Sequence, residues 1–449
     1  MKYATINYNE INSSLRFDGS YHLSEGVLYS SKIQKMKFDF LGNLASEIFT
    51  AGRTKRIYTS KEKGYPYLSN SDISKNNPFE NCNFNSKKHG FDEKSVLKEG
   101  MIVTGRVGAI GQTSYINSEY EELKAMGSDN IIRITAKDKK ISGYIYAYLV
   151  SKYGNTFFHK LASGGVQPYI SEEMIKAIPV PLLEEKKQQL LHQLIVDSAN
   201  LRVEANQYLK ECLELFDFMD IKYKSGGYIT SNICINKIND HKKRFDANYN
   251  VVSANVENII NKQNIEFVTL KDLTSGIFIG PRSKRNYVQN GIPFLSTSEM
   301  QKANPTKTEK FISEKASKGF IVKEGWLLTT RSGTLGDTVY SLPCIEGFAV
   351  SEDAIRIVLK DNSAVSNKYL FAFLKSNIGI NSLVSGSYGS VILHLNEEYI
   401  GDIKVPILDK DKILLIETKI EIYLSNINQA ILQENQAIDL IEKEIDAWQ

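Results

Sequence analysis

Two short basic segments carry the residue types that are best suited to binding a nucleic acid. An arginine fork can bond guanine edges or phosphates, whereas lysine supplies positive charge without direction. A single run of this kind is usually a solvated loop, but its recurrence keeps DNA binding open beside that interpretation. The first segment contains Arg53, Lys55, Arg56 and Tyr58, and the second contains Arg282, Lys284, Arg285 and Tyr287.

A glycine-rich stretch, TGRVGAIGQT at residues 104–113, has a composition that could cradle a phosphate. A phosphate loop needs G-x-x-x-x-G-K-[ST] followed by a helix, because the lysine and the helix N-terminus hold the phosphate. No lysine directly follows Gly111, and the flanking runs MIVT and SYI are typical of strands. We therefore predict a tight turn whose glycines adopt positive φ. Arg106 precedes this turn and Arg331 precedes a second copy of it; each either pairs with a carboxylate or contacts a phosphate.

No catalytic centre or metal site is predicted in this chain. Methylation of a flipped base needs a glycine-rich cofactor loop and an Asp/Asn-Pro-Pro-aromatic element. The nearest stretch, KNNPFEN at residues 75–81, lacks the second proline and is predicted to be a turn. The six histidines include no H-x-x-x-H pair and the four cysteines no C-x-x-C pair, which argues against a zinc site or a disulfide framework. No Walker loop is present, so we expect the chemistry to belong to other chains.

One module of about 225 residues occurs twice in the chain. RVGAIGQTSYI, from Arg106, returns as RSGTLGDTVYS, from Arg331, with the arginine, both glycines, the threonine and the tyrosine at the same relative places. Each copy of the module therefore contains one basic segment and one glycine-rich stretch preceded by an arginine. Further matched pairs are KEGMIVTGR (98–106) with KEGWLLTTR (323–331), GYPYLSNSDI (64–73) with GIPFLSTSEM (291–300), and AGRTKRIY (51–58) with GPRSKRNY (280–287).

The segments that follow the two modules are predicted to be long helices. Apolar or small residues recur in them at steps of three and four, which is a heptad pattern. Each apolar stripe could pack against its own module. Two matched helices instead favour one antiparallel coiled coil about a pseudo-twofold axis. At roughly 1.5 Å per residue, this coil would be ~55 Å long. The candidate coiled-coil and partner positions are Leu194, Leu201 and Tyr208 in the first segment, and Ile416, Ile420, Ile427 and Ile441 in the second.

Composition and charge place further bounds on the protein. Its 449 residues, 42% hydrophobic and 24% charged, are typical of a folded protein with roughly two or three domains. No signal sequence or long apolar segment is evident, so the cytoplasm is the default expectation. From residue 409 to the end, four lysines face nine acidic residues, a net charge of −5, so residues 1–408 carry +8 of the chain's total of +3. The modules are basic and the tail is acidic.

The order module, helix, module, helix resembles the DNA specificity (S) subunit of type I restriction-modification systems, over nearly the whole chain. RFD-x-x-Y opens each module, and an S-G-S-type stretch runs into I-P-V-P-L or I-K-V-P-I-L before each helix. The resemblance implies a mixed α/β (α+β) fold with two target recognition domains and an antiparallel pair of helices. The implied domains are 1–183 for the first recognition domain, 184–224 for a central helical spacer, 225–408 for the second recognition domain and 409–449 for a distal helix.

The same resemblance implies a function for the whole chain. The protein would be a non-catalytic subunit that binds double-stranded DNA at a bipartite, asymmetric site, with one half-site for each module. Its partners would be two methyltransferase subunits and a translocating restriction subunit, and S-adenosylmethionine, ATP and Mg would be bound by those partners. Two alternatives remain open: a duplicated coiled-coil scaffold, and a specificity subunit of a methylation-only or other phage-defence system.

Overall fold

The structure of the protein, a computed structural model, separates it into two units. The first comprises Met1–Val203 and Gln429–Gln449, and the second comprises Glu204–Asn428. The predicted boundary at 224/225 lies outside the described residues, as do Arg16 and Phe245 of the two RFD motifs. The structure describes residues 5–6, 8, 11, 17–108, 110–163, 167–221, 244, 246–282, 284–333, 335–389 and 392–448.

The strands described in the first unit form three sheets. They are β1 (Phe38–Phe40), β2 (Ala45–Thr50), β3 (Gly64–Leu68), β4 (Asn83–Ser86), β5 (Ile102–Gly105), β6 (Thr113–Tyr115), β7 (Met126–Gly127), β8 (Ile131–Ala136) and β9 (Pro179–Pro181). The largest sheet is antiparallel throughout, in the order β2-β8-β5-β6. In the second sheet β3 pairs antiparallel with β4 and parallel with β7, and the third is the antiparallel pair β1-β9.

Helices cover the sheets of the first unit. Ser151 separates two of them, and its side chain accepts from the N–H of Gly154 at 3.3 Å to cap the second. A Cβ on Gly154 would lie 2.1 Å from the carbonyl oxygen of Tyr148, so the sharp break between these helices requires glycine. The helices are Gly19–His22, Glu25–Lys35, Leu41–Leu44, Asn70–Ile73, Ser118–Glu122, Ser142–Val150, Lys152–Leu161 and Glu172–Lys176.

Among the described residues, the second unit repeats this topology and adds one short edge strand, Tyr287–Val288, to its second sheet. Its strands are β10 (Glu266–Thr269), β11 (Thr274–Ile279), β12 (Tyr287–Val288), β13 (Ile292–Leu295), β14 (Phe311–Ile312), β15 (Leu327–Thr330), β16 (Thr338–Tyr340), β17 (Ala349–Val350), β18 (Ala354–Leu359) and β19 (Lys404–Ile407). The sheet orders are β11-β18-β15-β16, β12-β14-β13-β17 and β10-β19, and β13 pairs parallel with β17 as β3 does with β7. Its helices are Ala247–Asn261, Leu270–Leu273, Glu314–Ser317, Asn367–Lys375, Asn377–Ser385 and Glu397–Gly401.

Register shifts at equivalent places in β2 and β11 confirm that the two units share one fold. The register shifts once in β2, between Ala45 and Glu47, and once in β11, between Thr274 and Gly276. Such bulges bend a strand locally and are kept as features of a fold. The predicted fold class, mixed α/β with two repeated domains and long helices, is therefore confirmed.

A long helix follows each module. Within each unit, a part of the first long helix packs against a part of the second. The central helix is Glu185–Glu214 and the distal helix is Lys410–Ala447, where Asp409 caps the first turn by accepting from the N–H of Lys412 at 3.0 Å. Central-helix residues pair with distal-helix residues in descending order along the chain, so the helices are antiparallel. These contacts are Lys187 with Glu444 and Ser198 with Ala430 in the first unit, and Glu211 with Lys419 and Cys212 with Ile416 in the second. Among the described residues, no helix is both long enough and apolar enough to cross a membrane.

Candidate nucleic-acid interface

The first basic segment lies between β2 and β3 and is tied down by one carboxylate. The Nη2 atom of Arg56 lies 2.8 Å from Oδ1 of Asp129, and Nε of Arg53 lies 3.2 Å from Oδ2 of the same residue. The guanidinium of Arg56 also lies 5.8 Å from the centre of the Tyr67 ring. Hydrogen bonding to Tyr67 and then to Asp129 raises the pKa of Arg56.

The second basic segment, between β11 and β13, has the same arrangement with different residues. Arg285 donates from Nη2 to Oε2 of Glu352 at 2.8 Å and to Oγ of Ser351 at 3.2 Å. Its guanidinium lies 5.3 Å from the centre of the Phe294 ring. The hydrogen bond to Glu352 raises the pKa of Arg285. An arginine between an acidic side chain and an aromatic ring is therefore present in both modules.

The other predicted residues of the two basic segments lie at the surface. Tyr58 and Tyr287 are each 51% exposed, and both rings lie near the aromatic ring beneath the arginine of their segment. Exposed cations and half-exposed rings are the groups that contact phosphates and stack on bases. The exposed cationic residues are Arg53, Lys55, Arg282 and Lys284.

The carboxylates that hold the arginines come from two turns that sequence reasoning did not identify. We name residues 128–130 and 351–353 the acidic turns; each precedes the central strand of its sheet. Asp129 and Glu352 are largely buried, with 14% and 16% of their side chains exposed. Burial would raise the pKa of Glu352, but its hydrogen bonds, with that to Arg285 the strongest, lower it overall.

A buried arginine lies beneath each acidic turn. Arg133 on β8 and Arg356 on β18 are fully buried, and burial lowers the pKa of each guanidinium to about 10. Each donates to several main-chain carbonyls, which compensates for much of its lost hydration. The acceptors are Ser95, Gly127, Ser128 and Ile131 for Arg133, and Phe320, Val350, Ser351 and Ala354 for Arg356. The sequence signal was an arginine inside an apolar strand, in IIRITA and again in AIRIVL.

The glycine stretches form the tight turns that the sequence predicts. Gly108 and Gly111 have φ of 79° and 83°, and Gly333 and Gly336 have φ of 85° and 90°. The turns join β5 to β6 and β15 to β16 in antiparallel pairs, and no helix follows either of them directly. The strand–turn–strand prediction is confirmed.

Arg106 and Arg331 join the glycine turns to the acidic turns through the main chain. The N–H of Arg106 donates to the carbonyl of Asn130 at 2.8 Å, and that of Arg331 donates to the carbonyl of Asp353 at 2.7 Å. Both residues are half-buried. Arg53, Arg56 and Arg106 therefore meet at the acidic turn of the first module, and Arg285 and Arg331 meet at that of the second.

A terminal hairpin, in which Ser163 pairs with Tyr169 in the first module and Tyr388 pairs with His394 in the second, completes the surface of each module. Gly108 donates its N–H to the carbonyl of Pro168, and the carbonyl of Arg106 accepts from Ile170. In the second module the carbonyl of Arg331 accepts from Leu395, and Ser332 bridges to His394. The basic segment, acidic turn, glycine turn and terminal hairpin thus form one connected surface in each unit. Exposed apolar side chains on the hairpins are Tyr169 in the first module, and Tyr388, Ile392 and Leu393 in the second.

The predicted coiled-coil residues differ in their degree of burial. Leu194, Leu201 and Tyr208 of the central helix are half-buried, whereas Ile195 and Leu209 beside them are 2% exposed. At Leu194 and Tyr208 the following residue is therefore the more deeply covered one. On the distal helix Ile416, Ile420 and Ile441 are fully buried and Ile427 is 3% exposed.

The remaining sequence candidates are a proline-containing stretch, the cysteines and the possible metal ligands. KNNPFEN is a turn, as predicted: Asn77 accepts from the N–H of Phe79 at 3.2 Å, and Phe79 packs against Tyr120. Burial raises the pKa of the Cys82 thiol to about 11 and that of Cys212 to about 12. Among the described residues, no group of three His, Cys, Asp or Glu side chains is arranged to hold a metal.

Comparison with known proteins adds a family match and several distant structures. The family model "Type I restriction modification DNA specificity domain" matches residues 45–207 and 262–443, one copy in each half of the chain. The S subunit of a type I restriction-modification system from M. genitalium is 14% identical over 92% of this chain and 94% of its own, with a TM-score of 0.32. The HsdS subunit from Thermoanaerobacter tengcongensis is 12% identical over 91% and 95%, with a TM-score of 0.28. A search of curated proteins finds no match.

Proposed function

The chain belongs to the type I restriction-modification DNA specificity family, and from that premise we propose that it reads a bipartite, asymmetric DNA site with one half-site for each module. The observation that carries this proposal is the repetition of the same four-part surface in both units with different side chains. A homodimer presents identical surfaces and so selects a palindrome. Two similar but unequal modules in one chain favour two different half-sites.

The surface residues support contact with both the backbone and the bases. The exposed cations Lys55, Arg282 and Lys284 suit phosphates, which fix the position of a protein on the duplex. Arg56 and Arg285 have the fork geometry that reads guanine, while the apolar side chains of the second hairpin suit thymine methyl groups. The hairpin of the second module, with Ile392 and Leu393 exposed, thus differs in chemistry from that of the first.

We propose that the long helices dock the partner subunits. Four leucines on the two helices are between 43% and 64% exposed, and a partner that covered them would remove this apolar surface from water. Two methyltransferase subunits binding there would supply S-adenosylmethionine and the chemistry, and a translocating restriction subunit would supply ATP and Mg. The chain itself would act without catalysis, in the cytoplasm where its DNA is. The leucines are Leu190, Leu414, Leu415 and Leu432.

The first experiment is sequencing of native DNA from the source cell with and without this gene, recording modified adenines. Loss of methylation at a split motif with two defined halves and a fixed gap supports the proposal and gives the site directly. Unchanged methylation counts against an active methylation complex. In that case purified full chain is titrated with duplex DNA over a range of salt.

The salt dependence separates DNA recognition from a duplicated coiled-coil scaffold. Neutralised phosphates release counterions, so DNA affinity should fall log-linearly with salt by about 0.9 per phosphate contact. A scaffold that binds protein through its helices has no counterions to release and shows little affinity for DNA. DNA binding that persists without adenine methylation favours a specificity subunit of another phage-defence system.

Module exchange tests the division of labour between the units. Replacing residues 27–183 by the corresponding module of another family member should change one half of the recognised motif and leave the other half and the gap unchanged. The matched control exchanges the second module, which should change the other half. A change in both halves after either exchange contradicts one half-site per module.

A further inference from the structure

We propose that the carboxylates of the two acidic turns, Asp129 and Glu352, are positioning residues that preset a guanidinium in each basic segment for reading guanine. This inference rests on the proposed function and adds a specificity-determining group to each module. It concerns side chains that do not themselves contact DNA. Their effect would be exerted through Arg56 in the first module and Arg285 in the second.

The geometry fixes each guanidinium on two sides. In the first module Asp129 holds Nη2 of Arg56 at 2.8 Å while the Tyr67 ring lies 5.8 Å from the guanidinium carbon. In the second, Glu352 holds Nη2 of Arg285 at 2.8 Å while the Phe294 ring lies 5.3 Å away. The residues differ between the modules, Asp for Glu and Tyr for Phe, but the arrangement is the same. Its repetition on diverged sequences points to a shared task.

The acidic turns are themselves held firmly. The N–H of Ser128 donates to Leu68 on β3 at 2.9 Å, and that of Ser351 donates to Leu295 on β13 at 2.9 Å. The carbonyls of the same two serines accept from the buried arginines beneath the turns. A carboxylate on such a turn has a fixed position, and the hydrogen bond to it restricts the position of the arginine side chain.

Each arginine keeps part of its fork accessible. The side chain of Arg56 is 49% exposed and that of Arg285 is 33% exposed, although one edge of each guanidinium is engaged. A guanidinium has further N–H donors that a single carboxylate does not use. An arginine fork that is fixed in place can donate to O6 and N7 of guanine with less loss of side-chain entropy on binding. Guanine is therefore the base that this arrangement favours.

The same carboxylate should favour specific binding and weaken binding to DNA of random sequence. It offsets the positive charge of its arginine and so weakens attraction to phosphates of any sequence. Removing it should lower discrimination and raise affinity for random DNA at the same time. A carboxylate that merely stabilised the fold would not produce opposite changes in these two quantities.

The test uses the full chain in its native complex and a randomised duplex library. Asp129→Asn should lower the selection of guanine at one position of one half-site about tenfold, the range expected for a bidentate contact. Its binding to random duplex should strengthen, with a salt slope steeper by up to about 0.9. Glu352→Gln should do the same at the other half-site. Asp129→Glu keeps a carboxylate, of the kind that the second module uses, and should therefore keep guanine selection close to that of the wild type.

Four outcomes would overturn the inference. They are an unchanged base preference in both variants, a loss at both half-sites from one variant, stronger binding to specific and random DNA alike, and weaker binding to both. If Asp129→Asn fails to fold, Arg56→Lys replaces it, because lysine keeps the charge but lacks the fork; retained guanine selection then refutes the inference. A wild-type complex that selects no sequence from the library refutes the proposed function instead, so the two failures are distinguishable.

Discussion

The two modules contact the long helices through different chemistry, although they share one topology. In the first unit Glu434 of the distal helix binds Arg202 of the central helix at 3.0 Å and accepts from the Tyr146 hydroxyl at 3.0 Å. The residue equivalent to Tyr146 in the second unit is Phe371, whose ring stacks on Tyr423 at 5.9 Å. The first contact is a buried polar network and the second is apolar.

A second position repeats this contrast. Nδ1 of His192, on the central helix, accepts from the N–H of Gly143 at 3.0 Å. At the equivalent place on the distal helix, Glu417 accepts from the N–H of Ser366 at 3.2 Å. Both acceptors anchor the start of a module helix, but the histidine loses this function when it is protonated at mildly acidic pH.

The contrast shows how a duplicated frame can keep its halves distinct. Apolar stacking tolerates small displacements, whereas a buried ion pair is satisfied in few geometries and can fix the register of a helix. The polar network therefore favours pairing of the first module with the part of the helices that carries Glu434. The four predictions below test this difference and the features that the units share.

The largest effect is expected from breaking the polar network. Glu434→Ala should lower the free energy of unfolding by about 3–5 kcal/mol, because it removes the carboxylate that balances the largely buried charge of Arg202. Urea unfolding with amide exchange resolved by unit measures this loss, which should be confined to the first unit. The control combines Tyr146→Phe, Arg202→Met and Glu434→Leu, which makes this contact apolar as in the second unit, and it should lie within about 1 kcal/mol of the wild type. An equal loss in both variants would show that the network does not act as a pair.

Removing a buried arginine should affect both units alike. Arg133→Met and Arg356→Met each leave main-chain carbonyls without a donor, and we expect each to cost about 2–4 kcal/mol of the free energy of unfolding. Each loss should appear in the unit that carries the substitution, as measured by amide exchange. If one of the two substitutions leaves the free energy of unfolding unchanged, the buried arginines do not stabilise the two units equally, although their contacts are equivalent.

A smaller effect, on recognition alone, is expected from the two arginines that we propose to read bases. Arg285→Ala should reduce discrimination at one half-site by about 1–3 kcal/mol if the residue reads a base. Arg56→Ala should do so at the other half-site. Competition binding with matched duplexes measures both effects. An equal loss on specific and random DNA would identify a phosphate contact instead.

The smallest effect is a pH dependence limited to the first unit. Burial lowers the pKa of His192, and the charge of Asp138 offsets this only in part. The unfolded chain therefore binds the proton more readily, so stability is fully present above pH ~6.5 and is lost as pH falls below it. The half-buried site limits the loss to less than about 1 kcal/mol. His192→Gln should abolish the difference between urea unfolding at pH 7.5 and 5.5; a persistent difference would assign it to another group.

Much of the candidate site was predictable because its signals are local. Arg53, Arg56 and Arg285 stand out by residue type, and the glycine turns by spacing and flanking strands. The acidic turns were missed because Asp129 is 73 residues from Arg56 along the chain, and nothing in the local pattern of either segment indicates that they meet. A close comparison of the two copies would have revealed the arginine that each apolar central strand carries.

The sequence by itself determined the duplication, the two long helices, the glycine turns and the basic surface, because periodicity and turn chemistry act over a few residues. Tertiary structure alone decided which carboxylate each arginine meets, which face of the central helix is covered, and that Gln429–Gln449 joins the first unit. Those outcomes depend on contacts between distant segments. Their geometry is set when the sheets and helices pack together, since burial and charge pairing take effect only when both partners are in place.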